Sequence, residues 1–242
     1  MIQEVDDKLH GLLVIDKPVG WSSMDVVRKV RYAAGKGSGR GKQKCGHAGT
    51  LDPLATGVLV MCLGRATKSV ERLMGQGKVY ETTIDLSAFT ASDDAEMPRQ
   101  EVAVQLPPTL EQIDAALAQQ MGLIEQVPPD FSAVHVEGQR AYKAARKGER
   151  LKLKSRQVRV DAIERLGYDW PRLDLRIKCG RGTYIRSIAR DLGKRLNTGG
   201  HLTALRRTAI GDYTIDRAFA IQWLEEGLGP GDLLPIPGEA AD

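Results

Sequence analysis

The feature that most constrains the fold is an alternation of side chains in segment 173–179. Leu173, Leu175 and Ile177 would lie on one side of an extended chain, and a charged residue occupies each position between and after them. Because successive strand residues point to opposite faces, this pattern predicts a strand with one apolar face and one charged face.

Other segments predict further strands and helices at short intervals. Strands are expected at 11–15, 57–63, 78–86, 131–138 and 151–166. Helices are expected after a cap at Ser22 or Ser23, at 68–74, after a cap at Thr109, at 140–147, after Gly182 and at 216–226. The predicted strands lie in neighbouring runs and do not alternate regularly with helices. This order favours an α+β fold and not a doubly wound sheet. We expect a mixed, largely antiparallel central sheet with flanking helices and a binding cleft.

Composition narrows the class of protein. Of the 242 residues, 42% are hydrophobic and 27% are charged, which is typical of a globular chain with a core and not of a disordered one. No apolar run approaches the roughly 18 residues of a membrane span, and the acidic N-terminus lacks the layout of a signal peptide. The three cysteines are widely spaced and show no disulfide or metal-ligand pattern. We therefore predict a soluble, cytoplasmic protein without a metal.

Charge is distributed unevenly along the chain. Lysine and arginine are concentrated in three runs, at 17–44, 140–159 and 176–207, whereas the residues after 215 are mainly acidic. Three basic runs on one surface would attract a phosphate backbone. Each run would equally suit an ordinary solvated face, so charge alone leaves both interpretations open.

The first segment that suits chemistry is GHAGTLDPLATGVL, residues 46–59. Asp52 precedes Pro53, which disfavours helix at the aspartate, and three glycines would allow close backbone approach. The carboxylate is a candidate nucleophile or general base, although a turn residue or a helix cap would also fit. A phosphoryl-transfer aspartate is disfavoured because 46–70 holds no second acid for Mg²⁺.

Two further segments carry candidate partners for Asp52. Tyr184 and Arg186 lie two residues apart in 178–193, so in an extended chain they would point the same way. A guanidinium beside Asp52 would keep that carboxylate ionised, although Arg186 would equally suit a phosphate or a helix start. Tyr80 interrupts a polar strand and would stack on a nucleobase or pack against the core.

Together these segments resemble the TruB family of tRNA pseudouridine-55 synthases. The similarity covers about Gly11 to Tyr213 in six ordered motifs. They are GLLVIDKPVGWSS, GHAGTLDPLATGVLVMCLGRATK, KVYE, QVPPDFSAVHVEGQRAYKAARKGE, RGTYIRSIARDLG and HLTALRRTAIGDY. The resemblance implies an isomerase that needs no cofactor and flips a uridine out of the T-loop of tRNA. We expect it to be a monomer without an obligatory protein partner.

The resemblance also implies a role for each matching residue. Asp52 would break the glycosidic bond, with Arg186 as its ionic partner. The implied binding and supporting residues are His47 in the RNA loop, Tyr80 stacked on the uracil, Tyr184 against it as a possible proton relay, Leu205 on the apolar side of the pocket, and Lys17 with Pro18 behind the active-site loop.

Two departures from the family pattern affect substrate binding. His135 stands where the family often has lysine, which would weaken a phosphate contact or make it depend on pH. We expect residues 1–215 to form the catalytic domain, with 87–150 as an insertion that grips the T-arm. The second departure lies after these residues. Many members of the family continue into an RNA-binding module of the PUA type, whereas residues 216–242 would form only a short helix and tail, too short for that module.

Three other functions remain open at the level of sequence. The first is a non-catalytic tRNA-binding or RNA-folding protein, for which the Asp52, Tyr80, Tyr184 and Arg186 set would be unnecessary. The second is a synthase that acts on messenger or ribosomal RNA. The third, an aspartyl phosphatase, lacks the expected metal-binding acids.

Overall fold

The computed structural model describes residues 8–35, 43–136, 138–149, 151–236 and 238. Most of the glycine-rich loop predicted at 35–44 and the last residues of the tail lie outside these ranges. The helices are α1 Ser23–Gly35, α2 Val70–Gly75, α3 Leu110–Ala118, α4 Ala141–Ala145 and α5 Ile185–Leu196. The strands are β1 Gly11–Lys17, β2 Cys45–His47, β3 Thr56–Leu63, β4 Lys78–Asp85, β5 Ala88–Thr90, β6 Arg99–Glu101, β7 Gly122–Gln126, β8 His135–Val136, β9 Gln139–Arg140, β10 Arg156–Asp169, β11 Arg172–Cys179, β12 His201–Ile210, β13 Tyr213–Thr214 and β14 Phe219–Ala220.

The chain divides into two compact units. The first comprises Met1–Lys78 and Arg206–Asp242, and the second comprises Val79–Leu205. Strand order in the first unit is β14-β1-β3-β12, and in the second it is β12-β4-β11-β10-β7. The β1–β14 and β3–β12 pairs are parallel, whereas β1–β3, β10–β11 and β7–β10 are antiparallel. The predicted α+β fold with a mixed, largely antiparallel sheet is therefore confirmed.

In the first unit, both faces of β1 and β3 are buried. Leu13 and Ile15 pack on the side of α1, while Leu12 and Val14 belong to a separate cluster on the opposite side. Burial on both faces explains why these strands read as continuous apolar runs and not as alternating ones.

In the second unit, β11 has the alternation that its sequence predicts. Its apolar residues are fully buried, and Arg176 on the other face forms ion pairs with Glu81 of β4 and Glu164 of β10. Helix α3 begins at the predicted cap, where Thr109 and Gln112 exchange hydrogen bonds in a capping box. One face of this unit's sheet therefore carries charge pairs, and the other carries the core.

Several predicted elements differ in the structure. Segment 131–138 forms only the two-residue strand β8, strand β10 begins at Arg156 and not at 151, and the predicted loop 87–100 contains β5 and the start of β6. An alternating pattern makes a strand only where a neighbouring strand accepts its hydrogen bonds. Segment 151–155 is paired with no strand in the part of the chain that the structure describes.

The helix expected at 216–226 is also replaced by other structure. Two short 3-10 turns, Ile215–Arg217 and Ile221–Glu225, flank strand β14. Phe219 pairs with Ile15 of β1 and stacks on Trp223, with ring centroids 4.2 Å apart. Tertiary pairing with β1 thus outweighs the helical pattern. No helix in the described ranges has the length and apolar character needed to cross a membrane.

Candidate active site

Asp52 lies in a tight turn between β2 and β3. The Ala55 N–H donates to the Asp52 carbonyl oxygen at 3.1 Å, and the Gly20 N–H donates to the Pro53 carbonyl oxygen at 2.8 Å. The Asp52 side chain is half-buried. The main chain of Asp52 therefore forms a turn, as one of the sequence alternatives has it. Its carboxylate is still a candidate nucleophile or general base.

Ser23 connects the first residue of helix α1 to the Asp52 turn. Its hydroxyl donates to the Leu51 carbonyl oxygen at 3.1 Å and accepts from the Leu51 N–H at 2.9 Å. Ser22 fulfils the capping role instead, because it exchanges hydrogen bonds with Asp25 at the helix start. Two consecutive serines at one helix start are the signal that one of them serves another purpose.

Lys17 holds the other side of the same turn. Its ammonium group is fully buried and donates to the carbonyl oxygens of Pro18 at 2.9 Å, Trp21 at 2.6 Å and Pro53 at 3.5 Å. Burial lowers the pKa of Lys17 to about 8, with the nearby Asp52 carboxylate opposing that shift. Lys17 therefore fixes the chain on both sides of Asp52 and supplies positive charge near it.

Arg207 supports the turn from β12, and sequence reasoning missed it. This arginine is 1% exposed, and it donates to the Val58 carbonyl oxygen at 2.8 Å and the Gly49 carbonyl oxygen at 3.0 Å. The predicted close approach of a glycine is found at Gly57, which has φ of 99°. A Cβ atom there would lie 2.2 Å from the Arg207 carbonyl oxygen, so only glycine fits.

His47 ends β2, five residues before Asp52, and is half-buried. Its Nδ1 atom is buried and has no hydrogen-bond partner among the described residues. Burial lowers the pKa of His47, and the positive charge of Arg207 lowers it further. The ring is therefore neutral near physiological pH and offers an apolar, stackable surface.

The second unit holds the other predicted site residues. Tyr80 lies on β4 and is 8% exposed, and Leu205 is a half-buried residue of β12. Tyr184 has extended backbone angles at the N-cap of α5, and Arg186 is already in the first helical turn. The helix predicted after Gly182 begins between them, so the argument that they point the same way in an extended chain does not apply.

Arg186 is buried in a polar cage. Its guanidinium lies 3.4 Å from the Asp94 carboxylate and donates to the carbonyl oxygens of Ser92 and Phe131, each at 3.0 Å. The side chains of Arg186 and Asp94 are only 6% and 2% exposed. The orientation of the guanidinium is therefore set by two loops that are distant from it in sequence.

Arg190, one helical turn later, forms a second connection to the same loop. It donates to Asp93 at 2.9 Å, to Asp191 at 2.9 Å and to the Val127 carbonyl oxygen at 2.9 Å. Burial raises the pKa of Asp93 to about 6, although Arg190 opposes the shift. Adjacent aspartates thus bind arginines that are four residues apart, which is the spacing of one helix face.

The third basic run contributes less positive surface than its sequence suggests. Five of its nine cations are ion-paired or buried, and their partners come from distant segments. These five are Arg176, Arg186, Arg190, Arg206 and Arg207. Both sequence interpretations, a phosphate-attracting surface and a solvated face, are therefore limited to the other four cations of this run.

The second basic run has more exposed charge. We call its exposed lysines and arginine the basic segment, defined as Lys143, Arg146, Lys147, Lys152 and Lys154. Arg156, two residues further, is half-buried, and Arg159 pairs with Asp161 on its own strand. The basic segment is accordingly the stronger candidate for phosphate contact.

The predicted site residues are divided between the two units. Lys17, Pro18, His47 and Asp52 lie in the first unit around one braced turn, and Tyr80, Tyr184, Arg186 and Leu205 lie in the second. Among the described residues, no group of three or more His, Cys, Asp or Glu side chains is placed to hold a metal ion.

Two family models match this chain over adjacent ranges. Residues 38–185 match the TruB family pseudouridylate synthase N-terminal domain, and residues 186–229 match the tRNA pseudouridylate synthase B C-terminal domain. The chain is 44% identical over 231 residues to tRNA pseudouridine synthase B of Phocaeicola vulgatus, covering 94% of this chain and 97% of the relative. It is 47% identical over 227 residues to tRNA pseudouridine synthase B of Thermobifida fusca, covering 88% and 74%.

Solved structures show the same similarity. A Cbf5-Nop10-Gar1 complex matches with a TM-score of 0.68 and 26% identity over 94% of this chain. An H/ACA RNP bound to a substrate RNA containing 2′-deoxyuridine matches with a TM-score of 0.64 and 25% identity over 92% of this chain. This chain spans 60% and 57% of the lengths of those two chains, respectively.

Proposed function

Because the chain belongs to the TruB family of pseudouridylate synthases, we propose that it isomerises uridine 55 in the T-loop of tRNA by flipping the base out of its stack. Its relatives carry the name tRNA pseudouridine synthase B, so the chain is an isomerase that acts on tRNA. The observation that carries the finer proposal is the Asp52 turn. Its main chain is held by hydrogen bonds from Ser23 to Leu51 and from Lys17 to Pro53, and Arg207 bonds to the carbonyl oxygens of the flanking residues Gly49 and Val58.

The reaction conserves all atoms of the nucleoside. The bond between N1 of uracil and C1′ of ribose breaks, the base rotates, and a new bond joins C5 to C1′. The proton on C5 leaves, and N1 gains one, so the balance requires neither an oxidant nor a metal. Asp52 supplies the carboxylate for the first step, either as a nucleophile or as a base.

The other site residues bind and orient the base. Tyr80 stacks on the uracil, Leu205 covers its apolar side, and Tyr184 lies against it in reach of the C5 proton. Arg186 pairs with Asp52 in a site from which water is excluded. Its burial beside Asp94 supports this role, since a pre-oriented guanidinium loses little entropy when it pairs.

The first unit supplies the groups next to the sugar and the RNA loop. His47 is neutral and half-buried, and it replaces part of the stacking that the flipped base loses. Lys17 and Pro18 support the loop behind Asp52. We assign segment 87–150 to the grip on the T-arm, together with the basic segment.

The proposal extends to location and assembly. The protein works in the cytoplasm, as a monomer and without an obligatory protein partner. Residues 1–215 act as the catalytic domain.

Release of tritium from C5 tests the proposal. A tRNA transcript labelled at C5 of uridine is incubated with the wild type or Asp52→Asn, without added metal. The wild type is expected to release about one equivalent per tRNA, and Asp52→Asn none, while tRNA affinity changes by less than about tenfold because one carboxylate contributes little to phosphate binding.

Two results would contradict this assignment. If the wild type binds the tRNA but releases no tritium, the protein is an RNA-folding factor or acts on another RNA. If a transcript with cytidine in place of uridine 55 releases tritium equally well, the target position is different.

A further inference from the structure

Tyr184 occupies a helix N-cap for which its side chain is unsuited. Cap positions favour Ser, Thr, Asp or Asn, whose oxygen accepts from the free N–H groups of the first turn. The Tyr184 side chain makes no capping hydrogen bond to helix α5. A residue that breaks a local rule at a site of chemistry needs support from elsewhere in the structure.

Gln126 supplies that support to the backbone. Its side-chain oxygen accepts from the Tyr184 N–H at 2.7 Å, and its amide nitrogen donates to the Tyr184 carbonyl oxygen at 3.1 Å. Gln126 is 1% exposed at the end of β7. The next residue, Val127, accepts from the Ser187 hydroxyl at 2.9 Å. The main chain of Tyr184 is therefore fixed without any help from its ring.

Arg156 contacts the ring itself. Its guanidinium carbon lies 4.8 Å from the centroid of the Tyr184 ring, which is the distance of a cation–π contact. The same guanidinium donates through one terminal nitrogen to the Gly182 carbonyl oxygen. Gly182 has φ of 86° in the turn that leads into α5, so Arg156 connects this turn to the ring that follows it.

The Nε atom of Arg156 supports a specific role for the contact between Arg156 and the Tyr184 ring. This atom is buried and has no hydrogen-bond partner among the described residues. An unsatisfied buried donor on a cation is unfavourable for stability. An arginine kept in this position for folding alone would be expected to satisfy that nitrogen.

We propose that Arg156 is a positioning residue for the isomerisation, which holds the Tyr184 ring in the orientation that faces the target uracil. The inference rests on the proposed role of Tyr184 against the base. Gln126 sets the backbone, and Arg156 sets the ring. Loss of Arg156 therefore slows the chemical step through Tyr184 and does not act through tRNA affinity.

The test compares two arginines of the same strand. Arg156→Met removes the cation over the ring and retains an unbranched side chain. Arg159→Met removes a cation three residues away whose guanidinium pairs with Asp161 on the same strand. Single-turnover tritium release at saturating enzyme measures the chemical step, and filter binding measures tRNA affinity.

Arg156→Met is expected to lower the single-turnover rate by about tenfold, in line with a partly desolvated cation–π contact. Its tRNA affinity should match that of Arg159→Met, which retains the wild-type rate. In a Tyr184→Leu background, Arg156→Met should cause no further loss, because the ring through which it acts is gone. Arg156→Lys should be faster than Arg156→Met, because an ammonium group can also form a cation–π contact with the Tyr184 ring.

The proposal is overturned if Arg156→Met retains the wild-type rate, if Arg159→Met slows the reaction equally, or if the loss persists in full in the Tyr184→Leu background. If Arg156→Met fails to fold, the comparison of Arg156→Lys with Arg159→Lys decides, and equal rates overturn the proposal. An inactive wild type would instead overturn the proposed function.

Discussion

The Ser23 hydroxyl hydrogen-bonds to both main-chain polar groups of Leu51, donating to the carbonyl oxygen at 3.1 Å and accepting from the N–H at 2.9 Å. Leu51 immediately precedes Asp52. A buried side chain that satisfies both groups of one residue fixes the two peptide planes on either side of Leu51, and the second of these planes joins Leu51 to Asp52.

We predict that Ser23→Ala and Ser22→Ala, changes at adjacent positions, have different effects: the first lowers the reaction rate and the second lowers stability. Ser23→Ala leaves the Leu51 N–H buried without its acceptor and allows Asp52 to shift. Tritium release should therefore slow by about tenfold or more, because a displacement of about 1 Å at a reacting group can cost that much in rate. Ser22→Ala should retain the rate but lower the free energy of unfolding by about 1 kcal/mol through loss of the helix cap. Urea unfolding and single-turnover rates of both variants provide the measurement. Equal rates in the two variants would contradict the role of Ser23.

Lys17 gives a pH-dependent prediction for stability. Its pKa is about 8 in the folded protein and 10.5 when unperturbed. Between those values the unfolded chain binds more protons, so the Lys17 contribution to the free energy of unfolding rises with pH. Lys17→Met lacks this group. The wild-type value minus the Lys17→Met value, measured by urea unfolding, should therefore increase between pH 8 and pH 10.5, and a constant difference would be inconsistent with burial of the ammonium.

His47 gives a prediction of the same kind in acid. Burial and Arg207 lower its pKa below the unperturbed 6.5, so below that pH the unfolded state binds the proton more readily. The contribution of His47 to stability is complete above pH 6.5 and is lost as the pH falls. His47→Gln should not show this loss. Thermal unfolding of both proteins across this range tests it, and parallel curves would show that His47 titrates normally.

The adjacent acids Asp93 and Asp94 should differ in their effect on catalysis. Asp94→Asn removes the carboxylate that lies 3.4 Å from the buried Arg186 guanidinium, and breaking a buried ion pair typically costs about 3–5 kcal/mol of stability. It should also slow tritium release by at least about tenfold, because Arg186 loses its fixed orientation. Asp93→Asn disturbs Arg190 instead and serves as the matched control. The rates are compared at a temperature where circular dichroism shows both variants folded. An equal loss of rate in both variants would contradict a role of Asp94 in orienting Arg186.

The salt dependence of tRNA binding should identify which cations contact phosphate. With about six phosphate contacts, affinity should fall by about 10³ between 50 and 200 mM salt. Lys154→Ala, in the basic segment, should reduce the slope of log Kd against log salt by about one. Arg176→Ala should leave the slope unchanged, because Arg176 is already paired with Glu81 and Glu164. The same slope reduction in both variants would contradict this assignment.

Local patterns were enough to predict much of the fold. The alternation in 173–179 identified β11, and the Thr109 cap located the start of α3, because side-chain direction and helix capping depend on residues that are near in sequence. The motif order also indicated the family. Patterns failed where pairing decides the outcome, as at 216–226, where β14 pairs with β1.

The sequence by itself determined the family, through six ordered motifs between Gly11 and Tyr213, and it singled out Asp52 before Pro53 as the candidate reactive carboxylate. Only the tertiary structure decided which cations are available and which are structural. Arg176, Arg186 and Arg207 belong to one basic run, yet their partners Glu81, Asp94 and Val58 come from distant segments. The physical reason is that the effect of a charge depends on its burial and on its neighbours in space, and neither is encoded in the residues beside it along the chain.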